Sequence, residues 1–158
     1  MNLVLEYLPR DDRVLRRVAA WIDREWAHLN PGRTFGQVVR RLKRRAGSRE
    51  VPLTLVARVD GRMVGTASLL WSDMDGLYEP GAWLSAVYVT PEYRRRGIGD
   101  ALCHRVEAEA ARLKQSELLL FTEDRERFYA KRGWVVARRP RYRGRDVVVM
   151  RKSLAADS

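Results

Sequence analysis

The segment Val87-Tyr-Val-Thr-Pro-Glu-Tyr-Arg-Arg-Arg-Gly-Ile-Gly99 constrains the fold more than any other part of the chain. An apolar run, closed by Thr90-Pro91, leads into an arginine- and glycine-rich turn. The turn opens a long segment with apolar residues at Leu102, Cys103, Val106, Ala110 and Leu113, which is helical spacing. Strand, glycine turn and helix in that order build an anion site. Glycines let several N–H groups point into one space, and the helix adds roughly half an elementary charge at its N-terminus. A phosphate or pyrophosphate is the natural occupant, so this region is predicted to hold a nucleotide-like cofactor. In a chain with 27 Arg and 11 Gly the pattern Arg94-x-x-Gly97-x-Gly99 is weak by itself. Its weight comes from context: Ala82 to Val89 carries no charge, places Trp83, Leu84, Val87 and Val89 in a strand, and runs straight into the turn.

A second constellation lies downstream. Glu117 to Phe121 reads as a short buried strand. Thr122 is placed to cap a brief helix with Glu123 and Asp124 in its first turn. That helix contains Phe128-Tyr129 and ends at Gly133, a residue suited to positive φ. Trp134 begins another strand.

Together the two segments resemble the GNAT N-acetyltransferases, which use acetyl-coenzyme A. The family signature is a strand, Arg/Gln-x-x-Gly-x-Gly/Ala, a long helix, a second strand, then Phe/Leu-Tyr-x-x-x-Gly-Phe/Trp. This chain carries Arg94-Arg-Arg-Gly-Ile-Gly99 and Phe128-Tyr-Ala-Lys-Arg-Gly-Trp134, in that order. The resemblance covers Leu53 to Leu154. Within the family the chain is similar to bacterial members with a Pro-x-x-Trp-Leu element, here within Glu79-Pro-Gly-Ala-Trp-Leu84.

The resemblance implies an α/β (α+β) fold with a mixed, mostly antiparallel sheet of six or seven strands flanked by four helices. It implies acetyl-coenzyme A as co-substrate and no metal. It places the cofactor between the strand ending at Val89 and the one ending at Phe121, against main-chain groups of Val87, Tyr88 and Val89. Arg94, Arg95, Arg96, Gly97, Ile98, Gly99 and Asp100 would wrap the pyrophosphate, with Thr122 as a further contact. Tyr129 would face the sulfur and act as general acid. An ordinary phenol, with a pKa near 10, is protonated at neutral pH and can donate. The implied reaction is direct attack by a primary amine of a small molecule or a peptide N-terminus. Two departures stand out. The family often has Asn where this chain has Thr122, and several relatives have a glutamate base where this chain has Trp83. The base is therefore open among Glu79, Asp73, Asp75, a water wire and an amine that is already neutral. A module that binds acyl-coenzyme A with little turnover stays open for the same reason. Trp26, His28, Glu79 and Trp83 are candidates for an acceptor pocket, with core packing the alternative for the tryptophans and a lone surface histidine the alternative for His28.

Length and composition set the remaining bounds. A chain of 158 residues suits one domain, expected over residues 1–154 with a frayed tail at 155–158, burying roughly 70% of its unfolded surface. One cysteine permits no internal disulfide and suits a reducing cytoplasm. Cys103 falls on the apolar side of its helix and reads as a buried thiol. No signal-peptide pattern and no apolar run near 18 residues is found, so a cytoplasmic protein without a membrane span is expected. The net charge is +11, but the arginines are scattered. The Arg40 to Arg45 cluster shares a helix with Val38, Val39, Leu42 and Ala46, and most of it reads as a solvated face. No nucleic-acid motif accompanies it, so nucleic acid is disfavoured and the excess charge is assigned to coenzyme A or an acidic acceptor. A homodimer is left open.

The predicted order is βααβββαβαββ. Leu3 to Leu8 is the first strand, and Pro9-Arg-Asp-Asp opens a helix stopped by Asn30-Pro31-Gly32. Thr34 starts a second helix ending near Gly47. Leu53 to Val59 and Met63 to Trp71 form a hairpin across Asp60-Gly61. A polar loop spans Ser72 to Gly81, and Trp134 to Arg139 with Asp146 to Lys152 make the last hairpin.

Overall fold

A computed structural model describes residues 1–74 and 81–154. Asp75, Glu79 and the tail at 155–158 lie outside the described residues. The elements are β1 (Leu3–Tyr7), α1 (Asp12–Trp26), α2 (Phe35–Arg45), β2 (Leu53–Val59), β3 (Arg62–Leu70), β4 (Ala82–Val89), α3 (Ile98–Arg112), β5 (Glu117–Thr122), α4 (Glu126–Ala130), β6 (Val135–Arg138), β7 (Arg141–Tyr142), β8 (Arg145–Asp146) and β9 (Val148–Ser153). Seven strands form one sheet in the order β1-β2-β3-β4-β5-β9-β6. Among the described residues only β4 and β5 run parallel. This is the mixed, mostly antiparallel sheet with four helices that the sequence implied.

Local chemistry accounts for most element ends. Asp60 and Gly61 both have positive φ, 49° and 83°, as a two-residue hairpin turn of matching twist requires. Asp11 caps α1, its carboxylate accepting from the N–H of Arg13 at 2.9 Å and of Val14 at 3.3 Å. Thr34 and Gln37 form a reciprocal capping box on α2. Such caps are worth ~1 kcal/mol each.

The sheet has helices on both faces. On one, Ile98, Leu102, Val106 and Ala110 of α3 pack with Tyr129 and Trp134 against Leu55, Leu84, Leu118 and Leu120. On the other, α1 and α2 bury Val14, Leu15, Val18, Ile22, Val38 and Leu42 against Val56 and Tyr88. Each large apolar side chain so buried contributes about 1.5–3 kcal/mol. Farther along that second face, Trp83, Leu119 and Val149 meet Val147 and Met74. There β7 and β8 pair as a separate two-stranded ribbon. The ribbon interrupts the predicted last hairpin, and its two-residue strands, rich in arginine, are too short to show alternation in the sequence.

Candidate active site

The parallel pair between β4 and β5 holds at only two registers, Ala82 with Leu118 and Trp83 with Leu119. Beyond them the strands part. The cause lies on the other edge of β4. Ser85 pairs with Ser68 and Tyr88 with Thr66, so Ala86 and Val87 together oppose Ala67. Ala86 adopts φ 54°, a left-handed conformation costing about 1–2 kcal/mol in a residue with a Cβ. Such a bulge bends and twists its strand, so β4 follows β3 and leaves β5. From Leu84 onward the β5-facing edge of β4 has no strand partner. A cavity of about 1600 Å³ fills the gap, with walls drawn from both faces of the sheet.

The α3 side of the cavity is the anion site. Gly97 caps α3 at φ 80° without any side-chain hydrogen bond, in contrast to α1 and α2. The first N–H groups of α3 thus keep their donors for a ligand. A Cβ on Gly97 would meet nothing within 4 Å, and one on Gly99 only Val89 Cγ2 at 3.7 Å. Arg94, Arg95 and Asp100 line this part of the wall, but Arg96 does not and lies 4.9 Å over the Tyr93 ring. Arg94 Nε donates to the Val89 carbonyl at 2.8 Å, so that main-chain oxygen is already engaged. The Asp100 carboxylate is ion-paired with Arg132 at 2.6 Å, and Arg132 also donates to the Phe128 carbonyl and lies 3.7 Å over the Phe128 ring. Asp100 therefore braces the start of α3 against α4.

Tyr129 closes the inner end of this half. Its ring meets Phe128 edge-on at 5.0 Å and Trp134 at 5.9 Å, and it is 8% exposed. Burial, aided by the Cys103 sulfur and opposed by Arg125 and Arg132, pushes the phenol well above its ordinary value. It is a proton donor at neutral pH. Its hydroxyl has no hydrogen-bond partner among the described residues. Burial also pushes the Cys103 thiol up to about 12, so it is an inert core thiol. Thr122 does not cap α4 as expected. The helix starts at Glu126, and the Thr122 hydroxyl instead accepts from the Arg125 N–H at 3.0 Å, fixing the preceding turn. Glu123 and Asp124 precede the helix, and Glu123 pairs with His28 at 2.5 Å.

The opposite side of the cavity is formed by α1, α2, the ribbon and the start of the loop after β3. Trp26 and His28 are on this wall. Trp83 is not: it is 1% exposed in the cluster with Met74, Leu119 and Val149, so it packs the core. Asp73 is on the wall and accepts from the Ser85 hydroxyl at 2.7 Å, beside the bulge. Burial raises its carboxyl to about 7, against the pull of Ser85, Arg45 and Arg33. Arg33, Arg41 and Arg45 are there too. Arg40, Arg41, Lys43 and Arg44 are exposed, as expected of most of that cluster, and Arg45 is the exception. It follows Leu42 by three residues and Val38 by seven, which turns it inward, and burial lowers its guanidinium to about 10. Sequence reasoning missed Arg33 and Arg45 as site residues. The helical period would have exposed Arg45, but Arg33 lies in the connection before α2 and had no signal. Among the described residues no group of three or more His, Cys, Asp or Glu is placed to hold a metal, and no helix is long and apolar enough to cross a membrane.

An anion site on one face, a polar pocket on the other and a gap in the sheet between them have the form of a two-substrate group-transfer site. Residues 51–136 match the family model for the acetyltransferase (GNAT) domain, more than half of the chain, and the chain belongs to the GNAT acetyltransferase family. The fold is similar to an aminoglycoside 6'-N-acetyltransferase complexed with coenzyme A, at 14% identity and TM-score 0.78 over 98% of this chain and 99% of that one. It is also similar to the PaiA N-acetyltransferase of Thermoplasma acidophilum in complex with coenzyme A (22%, TM-score 0.69, 97% and 99%). A GNAT acetyltransferase from Streptococcus pneumoniae matches at 19% and TM-score 0.69, over 98% and 100%. No curated relative matches the sequence. The residues fit coenzyme A: an uncapped helix start and two glycines leave room where a pyrophosphate would approach the backbone.

Proposed function

We propose that the protein transfers the acetyl group of acetyl-coenzyme A to a primary amine by direct attack, with Tyr129 as general acid and Asp73 as general base. The single observation that carries this reading is the cavity joining the two faces through the β4–β5 gap, with a protonated phenol on one side and a carboxyl poised near neutrality on the other. Acetyl-coenzyme A supplies a thioester whose acyl carbon forms a bond to the amine nitrogen as its bond to sulfur breaks. Asp73 takes the proton the amine must lose, and Ser85 holds the carboxylate in place. Main-chain N–H groups of β4 beyond Trp83, without a strand partner on the β5 side, are free to stabilise charge on the acyl oxygen. The Tyr129 hydroxyl gives its proton to the departing sulfur. Gly97, Ile98, Gly99 and Asp100, with Arg94 and Arg95, hold the pyrophosphate end. Val87, Tyr88 and Thr122 flank the arm that leads to the gap, and residues 1–154 act as one domain. Two groups with separated proton affinities favour turnover over an acyl-coenzyme A sensor. The test is thiol release from acetyl-coenzyme A with a panel of amines, checked by the mass of the acetylated product. Tight acetyl-coenzyme A binding with no release for any amine would leave the sensor reading.

The anion site has its own expected result. Gly99 lies in the first turn of α3 without positive φ, and a Cβ there meets only Val89 Cγ2 at 3.7 Å, so Gly99→Val should fold. The added side chain occupies the approach to the phosphates. Acetyl-coenzyme A affinity should fall roughly 10–100-fold, ~1.4–2.8 kcal/mol by calorimetry. An unchanged affinity in the folded variant would place the pyrophosphate elsewhere.

A further inference from the structure

The α1/α2 side of the cavity carries Arg33, Arg41 and Arg45, and one edge of the Arg33 guanidinium has no partner among the described residues. Arg33 follows the Pro31-Gly32 turn, and its Nε and Nη2 atoms are buried with no hydrogen-bond partner among the described residues. Those two atoms form one edge of the guanidinium, the pair of parallel N–H donors that a carboxylate accepts in bidentate fashion. A charged donor kept out of water without an acceptor is costly, and such a group calls for an explanation. Arg41 and Arg45 line the same wall.

The other charges here are already engaged. Glu123 pairs with His28 and, at 3.9 Å, with Arg145. Asp146 pairs with Arg141 at 3.0 Å. Arg143 reaches from the ribbon to the Leu29 carbonyl and the Asn30 side-chain oxygen, at 2.7 and 2.8 Å. Three arginines then face Asp73, Asp23 and the exposed Glu25. Arg41 and Arg143 repel the Arg33 guanidinium and Asp23 and Asp73 attract it, but none of these carboxylates reaches its buried edge, which has no hydrogen-bond partner among the described residues.

We propose that the acceptor is a small amine that also carries a carboxylate, with the carboxylate held by the guanidinium of Arg33, which turns its unpartnered Nε/Nη2 edge into the cavity to bind it, and the amine turned toward Asp73. This rests on the acetyl-transfer reading above and names its second substrate class. Asp73 and Arg33 lie on the same cavity wall, each felt electrostatically by the other, so one short molecule can reach both. The same surplus charge works against polyamines and aminoglycosides, whose amines would meet the arginines.

The test is calorimetry on the coenzyme A-loaded protein, titrated with the twenty α-amino acids and with ω-amino acids from glycine to 6-aminohexanoate. Each is compared with its carboxamide and, for the ω-series, with the aminoalkylphosphonate of equal length. At least one amino acid should bind tenfold or more tighter than its carboxamide. Arg33→Gln should erase that preference, and Arg33→Lys, which keeps the charge but not the fork, should restore only part of it. Both variants should bind acetyl-coenzyme A like the parent, which also shows that they are folded. Carboxamides that bind as well as acids, a panel with no binder, or a preference that survives Arg33→Gln would each overturn the proposal. A preference for the phosphonates would overturn the carboxylate in favour of a phosphate-type anion. Thiol release with neutral amines alone would sink this proposal and leave acetyl transfer standing, whereas failure to bind acetyl-coenzyme A would sink both.

Discussion

Replacing Tyr129 by phenylalanine should lower turnover by 10²–10⁴-fold, the usual contribution of a positioned general acid. The substitution removes only an oxygen. The ring keeps its edge-on contacts with Phe128 and Trp134, and the carbonyl of residue 129 still accepts from the Trp134 N–H. The hydroxyl has no partner among the described residues, so its loss strands no buried donor or acceptor among them. Folding should be untouched, and the affinity for acetyl-coenzyme A should move by less than about threefold, under ~0.7 kcal/mol. Steady-state kinetics with an acceptor for which chemistry limits the rate gives the answer. Equal turnover in the two proteins would mean that another group or a water protonates the sulfur and that Tyr129 serves packing.

Asp73→Asn should cost a similar factor and also reshape the pH profile. In the parent, kcat/KM should rise as the carboxyl loses its proton, with a midpoint near its value of about 7. The asparagine variant should lack that limb. A stability effect accompanies it, and its sign follows from the direction of the shift. The carboxyl has an ordinary value of 3.8 and about 7 when folded, so the folded chain holds this proton more tightly than the unfolded chain. Between those values the folded state carries more protons, and parent stability falls as pH rises from about 4 through 7. Asparagine does not titrate. The melting temperature of the variant relative to the parent should therefore be higher at pH 8 than at pH 4. A pH-independent difference would show that the carboxyl is not held out of water. A kcat/KM limb near 7 that persists in the variant would assign the base elsewhere.

Much of the architecture was legible because its causes are local. The turn at Asp60-Gly61, the helix start at Thr34, the uncharged run from Ala82 and the glycines ahead of α3 act within a few residues of themselves. The placing of Gly97, Gly99 and Tyr129 in one cavity was implied by two motifs in the right order. Other residues depended on neighbours far along the chain. Trp83 could line a pocket or fill a core, and its choice was made by Leu119 and Val149. Thr122 was expected to cap a helix that begins four residues later.

The sequence alone determined the strand–turn–helix order, the anion site and the family, because hydrophobic period, capping and glycine conformation are properties of adjacent residues. Only the tertiary structure decided where the sheet opens and what faces the opening. At the Ala86 bulge the register of β4 on β3 shifts by one residue across Ala67, and no pattern within β4 encodes that. Asp73 meets Ser85 across twelve positions, and Arg143 reaches Leu29 across 114. The buried, unpaired edge of Arg33 is a property of everything packed around it. Long-range pairing sets burial, and burial is what separates an ordinary surface arginine or aspartate from one whose charge is available for chemistry.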